Sequence, residues 1–276
     1  MDLDEYRRDS QANWDRLSGN WLSEREFLWE KMGHIARALV ERVDPQPGQT
    51  ILDIASGTGD TGFLAAEAVG EEGRLISTDF SSGMVEKAKE VGTQRGVSNA
   101  EYRQLDAEQI DLDDDSVDGV VCRFGYMLMA DPGRALTETR RVLRDGGRLA
   151  FAVWGAPEKN LWAAIPAMEL VSRGHLEPPE PGAPSIFALA DPERIRELVL
   201  AAGFPEPGID QIEVEWSYDV ETHWALTRKL AGPLSEAIDT LDEDERESVR
   251  LAVREKAETE IAKGGVTGLV HVVTAS

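Results

Sequence analysis

The sequence predicts an α/β protein built on one doubly wound, mostly parallel seven-stranded sheet of the Rossmann-like kind, with an antiparallel last strand and helical lid insertions. Short apolar runs alternate with amphipathic segments from residue 50 to about residue 154, which is typical of βαβ units. The first apolar run, 51–54, leads directly into a glycine-rich turn and then a helix. Two further runs, 212–218 and 266–274, supply the remaining strands.

The N-terminal half divides into two regions. Residues 1–46 predict a helical cap of two helices, with the break at Ser18-Gly19. Residues 47–155 form the predicted nucleotide-binding core, and Gly146-Gly147 is expected to turn the chain sharply into its fifth strand. The strand candidates of the core are 50–54, 74–78, 100–104, 117–122 and 147–154.

The C-terminal half interrupts this rhythm twice. Residues 156–190 carry a helix and then a proline-rich run at 178–184, and we interpret them as a lid insertion. Residues 191–276 return to the core, beginning with a helix that Asp191 caps and Pro192 starts. Within them, about 219–265 is a second helical insertion with a helix near 242–263, because a plain hairpin connection needs only a few residues.

Composition limits the possible partners. The 276-residue chain has a net charge of −23 and a pI near 4.5, which argues against nucleic acid or an anionic membrane as a partner and favours a small molecule. The single Cys122 excludes an internal disulfide and a multi-cysteine zinc site, and we predict no metal. We expect a cytoplasmic protein without membrane insertion, since no apolar run approaches the roughly 20 residues of a spanning helix. Whether the chain forms a homodimer is left open.

The glycine turn admits more than one nucleotide. Gly57, Gly59 and Gly62 satisfy the G-x-G-x-x-G pattern of dinucleotide sites. Asp60, in the first turn of the next helix, is expected to repel a pyrophosphate. S-adenosylmethionine has no phosphate and carries a sulfonium and an ammonium, so it suits acidic surroundings. The alternatives are a dinucleotide-dependent oxidoreductase and a catalytically silent, cofactor-binding regulator.

Four charged residues at predicted strand ends are candidate cofactor ligands. Asp79 lies twenty positions after Gly59, where a carboxylate can accept both ribose hydroxyls. Asp106 follows the third strand and can accept from the adenine amino group. Asp53 needs a partner if it is buried, and the cofactor ammonium is one candidate. Arg123 either forms a structural ion pair or binds the cofactor carboxylate.

These motifs resemble those of the class I S-adenosylmethionine-dependent methyltransferases, within them the ubiquinone/menaquinone-biosynthesis-like (methyltransferase type 11) small-molecule branch. The likeness is specific over about residues 47–155, and Asp145 departs from it by replacing the usual proline of the turn before the fifth strand. The matching segments are 51–60, 78–84, 105–108, 120–125 and 143–147. The resemblance implies that the first approaches the methionine part of the cofactor, the second the ribose, the third the adenine and the fourth the transferred methyl.

The cofactor-binding residues expected from these motifs are Asp53, Ala55, Ser56, Gly57, Thr58, Gly59, Asp79, Phe80, Met84, Asp106, Ala107, Arg123 and Phe124. Methyl transfer from a sulfonium is an in-line displacement, so positioning and desolvation supply most of the catalysis. The catalytic residue stays unassigned. Of the four histidines we name only His175 as a candidate base, because it closes the lid helix.

The predicted acceptor is a small, largely apolar molecule of aromatic, quinone-like, polyketide or terpenoid type. This prediction depends on lid residues that cannot all face the sheet. They are Leu161, Trp162, Ile165, Met168, Phe187, Trp224 and Leu226. The residues expected to line the acceptor site are Trp14, Tyr126, Met127 and Trp162.

Overall fold

The structure is a computed structural model that describes residues 2–178, 180, 182–215, 220–262 and 267–276. The strands are β1 (Thr50–Ile54), β2 (Arg74–Asp79), β3 (Ala100–Gln104), β4 (Val117–Arg123), β5 (Leu143–Trp154), β6 (Gly208–Glu215) and β7 (Thr267–Ala275). The helices are α1 (Leu3–Ser23), α2 (Arg25–Val43), α3 (Asp60–Val69), α4 (Ser82–Arg95), α5 (Pro132–Val142), α6 (Leu161–Ser172), α7 (Pro192–Ala201), α8 (Val220–Leu230), α9 (Gly232–Thr240) and α10 (Glu243–Ala262).

The strands of the described residues form one seven-stranded sheet in the order β3-β2-β1-β4-β5-β7-β6. Strands β1 to β5 pair in parallel, and β7 runs antiparallel to both of its neighbours. The predicted mostly parallel sheet with an antiparallel last strand is therefore confirmed. The helices of the described residues contain no segment long and apolar enough to cross a bilayer.

The strand order reverses between β1 and β4, which opens a crevice at their carboxyl ends. Ala55 and Phe124 follow these two strands and have φ angles of 53° and 66°, a left-handed conformation that residues with a Cβ rarely adopt. Gly125 follows Phe124, and its surroundings leave no room for a side chain, because an added Cβ would lie 2.6 Å from the Ala55 Cβ. Both strands therefore end abruptly at the crevice.

The lid helices have a small hydrophobic core of their own. Ile165 and Leu170 of α6 pack with Trp224 of α8, Ile238 of α9 and Val253 of α10, apart from the main core around the sheet. Other apolar residues of α6, Leu161 and Met168, line an open groove of about 510 Å³ between α6 and α10. These lid residues therefore pack on one another or face this groove, and the apolar acceptor inferred from them stays a prediction.

Two local predictions need correction, and a few predicted residues lie outside the described part of the chain. The helical cap breaks at Glu24 and not at Ser18-Gly19, which lie inside α1. Ser18 lies within α1, and its hydroxyl donates to the Asp15 carbonyl one turn earlier. Strand β5 begins at Leu143, with the Gly146-Gly147 turn inside it as an irregularity in the pairing with β4. Residues 216–218 and 266 of the predicted last strands, and residue 263 of the predicted helix, lie outside the described residues.

Candidate cofactor and acceptor site

The predicted cofactor residues come together along one edge of the sheet. Asp53 lies in β1, and the loop 55–59 connects β1 to α3. Because parallel strands present their carboxyl ends at the same edge, the residues that end or follow β2, β3 and β4 reach this edge as well. They are Asp79, Phe80, Asp106, Ala107, Arg123 and Phe124, with Met84 in the first turn of α4.

Asp79 connects the end of β2 to the glycine loop. Its Oδ2 accepts a hydrogen bond from the Gly57 amide at 2.9 Å, and its Oδ1 accepts one from the Ser81 amide at 2.9 Å. Burial raises the pKa of this carboxyl to about 6, although the backbone amides act in the opposite direction. The carboxylate is thus held at a fixed position between the glycine loop and the start of α4.

Asp53 is the more deeply buried acid, with 1% of its surface exposed. Its Oδ2 and the neighbouring Ser56 hydroxyl are both buried and have no hydrogen-bond partner among the described residues. Burial raises the pKa of Asp53 to about 8, and the positive charge of Arg123 limits this rise. Unpaired buried polar atoms are costly unless a ligand satisfies them, so this pair marks a place for a polar or cationic group.

The glycine turn allows α3 to approach Asp53 closely. A Cβ added at Gly62 would lie 2.6 Å from the Asp53 Oδ2, so only glycine fits there without displacing the acid. Gly59, with a φ of 88°, precedes α3 in the left-handed region that glycine adopts without strain. The side chain of Arg123 reaches the same helix, where its Nε donates to the Thr61 hydroxyl at 3.0 Å.

Asp60 does not present an unbalanced negative charge at the start of α3. Arg25 of α2 donates to both of its oxygens, at 2.6 and 2.9 Å, and Arg95 of α4 donates at 3.0 Å. Two guanidinium groups therefore surround one buried carboxylate. The argument that Asp60 repels a pyrophosphate is wrong, because these two guanidinium groups neutralise its charge. They come from α2 and α4, and the sequence alone did not reveal them.

The remaining predicted ligands are held by local contacts. Asp106 is half-buried and accepts a hydrogen bond from the Glu108 amide at 2.9 Å. Ala107 and Met84 are buried. The partly exposed Phe80 offers its carbonyl to Gln104, and the Thr58 hydroxyl donates to Asp60. Their roles as ligands stay predictions.

Helix α1 crosses this edge of the sheet, which the sequence analysis did not predict. Tyr6 donates to the Leu128 carbonyl at 2.8 Å, beyond the end of β4. Arg7 binds Glu108 with its Nη2 at 2.5 Å, and Gln11 donates to the Phe80 carbonyl at 3.1 Å. Asp15, further along α1, accepts hydrogen bonds from the start of α4. Arg7, Gln11 and Asp15 are four residues apart, which places them on one face of the helix. This row of polar side chains was the feature of the sequence that could have indicated the contact between α1 and the sheet.

An aromatic group lies beside the crevice at the ends of β4 and β5. Phe124 stacks on Trp154 with ring centroids 4.5 Å apart and an interplanar angle of 8°. Trp162 of α6 meets Trp154 edge-on at 4.9 Å. Of the residues predicted to line the acceptor site, Trp162 belongs to this group, while Trp14 lies on α1 against Trp21.

Tyr126 and Met127 are core residues. Tyr126 is fully buried, forms a 2.6 Å hydrogen bond with Thr139 of α5 and contacts the Phe151 ring of β5. Met127 is 2% exposed and belongs to the same main cluster. Their predicted role as acceptor-lining residues is not supported, because the side chains pack between the sheet and its helices.

The histidines occupy structural positions. His175 lies 2.8 Å from Glu245, and this contact connects the end of α6 to the start of α10. The structure therefore does not bring His175 to the strand ends. His223 and His271 bond to the carbonyls of Trp162 and Ala190, and burial lowers the pKa of both imidazoles.

The chain is similar to known methyltransferases. A methyltransferase-domain family model matches residues 45–168. The ubiquinone/menaquinone biosynthesis C-methyltransferase UbiE of Francisella tularensis subsp. holarctica is 30% identical over 187 residues, covering 64% of this chain and 72% of the relative. The chain belongs to the S-adenosylmethionine-dependent methyltransferases.

Solved structures show the same fold. The YcgJ protein from Bacillus subtilis superposes with a TM-score of 0.58 at 16% identity, covering 88% of this chain and 97% of that one. Phosphoethanolamine N-methyltransferase 2 of Haemonchus contortus, in complex with S-adenosyl-L-methionine, gives a TM-score of 0.55 at 16% identity, covering 88% and 52%. This protein is an enzyme whose cofactor is S-adenosylmethionine, and the alternative of a dinucleotide-dependent oxidoreductase finds no support.

Proposed function

We propose that the enzyme transfers a methyl group to a small, largely apolar acceptor that carries an aromatic or quinone-like ring. The observation that carries this proposal is the aromatic group of Phe124, Trp154 and Trp162 beside the crevice. Aromatic side chains bind flat apolar rings through offset or edge contacts, whereas a sugar or a free amino acid would need polar partners. The similarity to a quinone-biosynthesis C-methyltransferase supports the same class of acceptor.

The proposed cofactor site uses the acids at the strand ends. Asp79 would accept the ribose hydroxyls, and Asp106 the adenine amino group. Asp53 and Ser56 would receive the methionine ammonium, because a cation satisfies their unpaired buried oxygens. The open backbone of the loop 55–59 leaves space for the methionine chain. Arg123, fixed by Thr61, would balance the negative charge of the buried acids or of the cofactor carboxylate.

The residues of this chain contribute mainly by positioning and by excluding water. When bound, S-adenosylmethionine supplies an electrophilic methyl group and leaves as a neutral thioether. Phe124 and Trp154 hold an apolar wall at the end of β4 and β5, and α1 covers the ends of β2, β3 and β4. A covered, apolar site holds the reacting atoms in line without competition from water. We assign no general base.

An acceptor panel tests this proposal. The purified protein would be incubated with S-adenosylmethionine and either hydroquinones and phenols of one to three rings or polar acceptors such as glycine and phosphoethanolamine, with S-adenosylhomocysteine release measured by mass spectrometry. We expect turnover with the ring-bearing set. Trp162→Ala should raise the KM for such an acceptor and leave cofactor affinity unchanged. Turnover confined to polar acceptors, or cofactor binding with no turnover on the whole panel, would contradict the proposal.

A further inference from the structure

We propose that Asp15 of α1 is a positioning residue for the cofactor, which holds the first turn of α4 and, through Ser81, keeps the carboxylate of Asp79 in its binding position. Asp15 lies far from the glycine motif in the sequence and makes no contact with the reacting atoms. The inference rests on the cofactor site proposed above, because it assigns to Asp15 an effect on Asp79.

Asp15 caps a helix other than its own. Its Oδ1 accepts hydrogen bonds from the Ser81 hydroxyl at 2.6 Å, the Gly83 amide at 2.8 Å and the Ser82 hydroxyl at 3.3 Å. The first N–H groups of a helix have no partner within the helix. Ser81 satisfies one of them, since its hydroxyl accepts from the Met84 amide at 3.1 Å, and Asp15 satisfies the Gly83 amide. The N-terminal cap of α4 is thus shared between Ser81 and α1.

The shared cap continues into the cofactor site. Ser81 is fully buried, and its amide donates to Asp79 while its hydroxyl donates to Asp15. Asp79 in turn accepts from the Gly57 amide. A single series of hydrogen bonds therefore runs from α1 through the start of α4 and the end of β2 to the glycine loop. Hydrogen bonds with a charged partner are the strong ones, and three bonds of this series end on a carboxylate.

Helices α1 and α4 pack closely at Gly83. A Cβ added at Gly83 would lie 2.8 Å from the Ser18 hydroxyl and 3.1 Å from the Asp15 carbonyl oxygen. The absence of a side chain at position 83 allows the two helices to touch at the first turn of α4. Asp15 consequently acts on the cofactor edge at a fixed distance, and Gln11, one turn earlier, holds the Phe80 carbonyl in the same loop.

Calorimetric titration with S-adenosylhomocysteine tests the assignment with four variants. Asp15→Ala removes the acceptor, Asp15→Asn keeps an acceptor oxygen without the charge, and Ser81→Ala removes the hydroxyl that connects α1 to the cap. Asp9→Asn is the matched control, because Asp9 is exposed on the same helix and this change removes the same charge. We expect Asp15→Ala to raise the Kd about tenfold, as for the loss of a hydrogen bond to a charged group. Asp15→Asn should recover most of the affinity, and Asp9→Asn should leave it unchanged.

A double variant separates positioning from general stability. If Asp15 acts through Ser81, then Asp15→Ala combined with Ser81→Ala should weaken binding no more than the stronger single variant. Equal affinities of Asp15→Ala and wild type, or additive losses in the double variant, would overturn the proposal. Should Asp15→Ala fail to fold, Asp15→Asn and Ser81→Ala carry the same comparison. Asp79→Ala tells the two proposals apart: unchanged binding in that variant refutes the cofactor site itself, whereas weakened binding there with wild-type binding in all Asp15 variants refutes only the role of Asp15.

Discussion

The burial of the Asp53 side chain costs stability. It is buried with one oxygen lacking a partner among the described residues, and its pKa is about 8. Asparagine or an apolar residue would cost less to bury in this place. The same isolation gives the carboxyl a strong preference for a cationic partner, which is the property that the proposed cofactor site needs.

The raised pKa of Asp53 predicts a pH dependence of stability. In the unfolded chain its pKa returns to about 3.9, so between that value and about 8 the folded state binds more protons than the unfolded state. The contribution of Asp53 to the free energy of unfolding therefore falls as pH rises through this window. Asp53→Asn should raise the Tm at pH 8.5 relative to wild type, and the gain should shrink toward pH 5. Differential scanning calorimetry over this pH range measures both.

The same variant should bind S-adenosylhomocysteine at least about tenfold more weakly, because it loses the charge that faces the ammonium. Asp9→Asn serves as the control and should shift neither the pH profile nor the affinity. A variant at position 53 that is destabilised at pH 8.5, or that keeps wild-type affinity, would contradict this account of the residue.

Helices, strands and caps could be predicted from the sequence where they depend on residues that are close together in the chain. Strands β1 to β4, the α7 cap at Asp191 and the inward face of α10 around Val249 and Val253 follow from local periodicity and local capping. The long β5 was missed in part, because its first residues pair with β4 across an irregularity that no local pattern encodes. The small core of the lid was missed because it joins α6 to α8, α9 and α10, which lie much later in the sequence.

The candidate site was predictable to the same degree. The acids Asp53, Asp79 and Asp106 could be placed at the strand ends because each lies in or follows a predicted strand. Asp15 was missed, since its partners are about 66 positions away, and so were the arginines that neutralise Asp60. A pattern in the sequence places a residue on an element, but it does not show which distant element covers it.

The arginines around Asp60 predict a non-additive loss of stability. Arg25 and Arg95 connect α2 and α4 to the start of α3, so each one alone can still neutralise the buried carboxylate. Replacing both by alanine should lower the free energy of unfolding by about 3–5 kcal/mol, the cost of leaving a buried charge unpaired. Each single replacement should cost far less than half of that.

Urea unfolding of the two single variants and the double variant measures this coupling. Arg194→Ala is the matched control, because the Arg194–Glu197 pair is more than half exposed, and exposed pairs contribute about 0–1 kcal/mol. Additive effects at positions 25 and 95 would show that the carboxylate does not depend on these two partners together.

The whole molecule is arranged around α1, which lies between the cofactor edge and the lid. One face of α1 binds the strand ends, and the other binds the second insertion through Arg16–Glu236 and the bond from Asn20 to the Lys229 carbonyl. Gly232 of α9 packs so closely on Asn13 that an added Cβ would lie 2.4 Å from its amide nitrogen. The N-terminal helix thus contacts both the strand ends and the second insertion.

The overall charge predicts a salt dependence of stability. With 52 acidic and 29 basic residues, the folded chain repels itself, and screening reduces this repulsion. The Debye length falls from about 30 Å at 0.01 M salt to about 8 Å at 0.15 M. The Tm should therefore rise as KCl increases over this range, as a thermal shift assay would show. A Tm that falls with salt would indicate that the surface ion pairs outweigh the repulsion.

The central claim is that the crevice at the ends of β1, β2 and β4 binds S-adenosylmethionine through Asp79 and its neighbours. Isothermal titration calorimetry of wild-type protein and Asp79→Ala with S-adenosylhomocysteine tests it most directly. We expect saturable binding with one site per chain in the wild type and at least about tenfold weaker binding in the variant, as for the loss of a charged hydrogen-bond acceptor. Absence of binding to the wild type, or equal affinity in the two proteins, would contradict it.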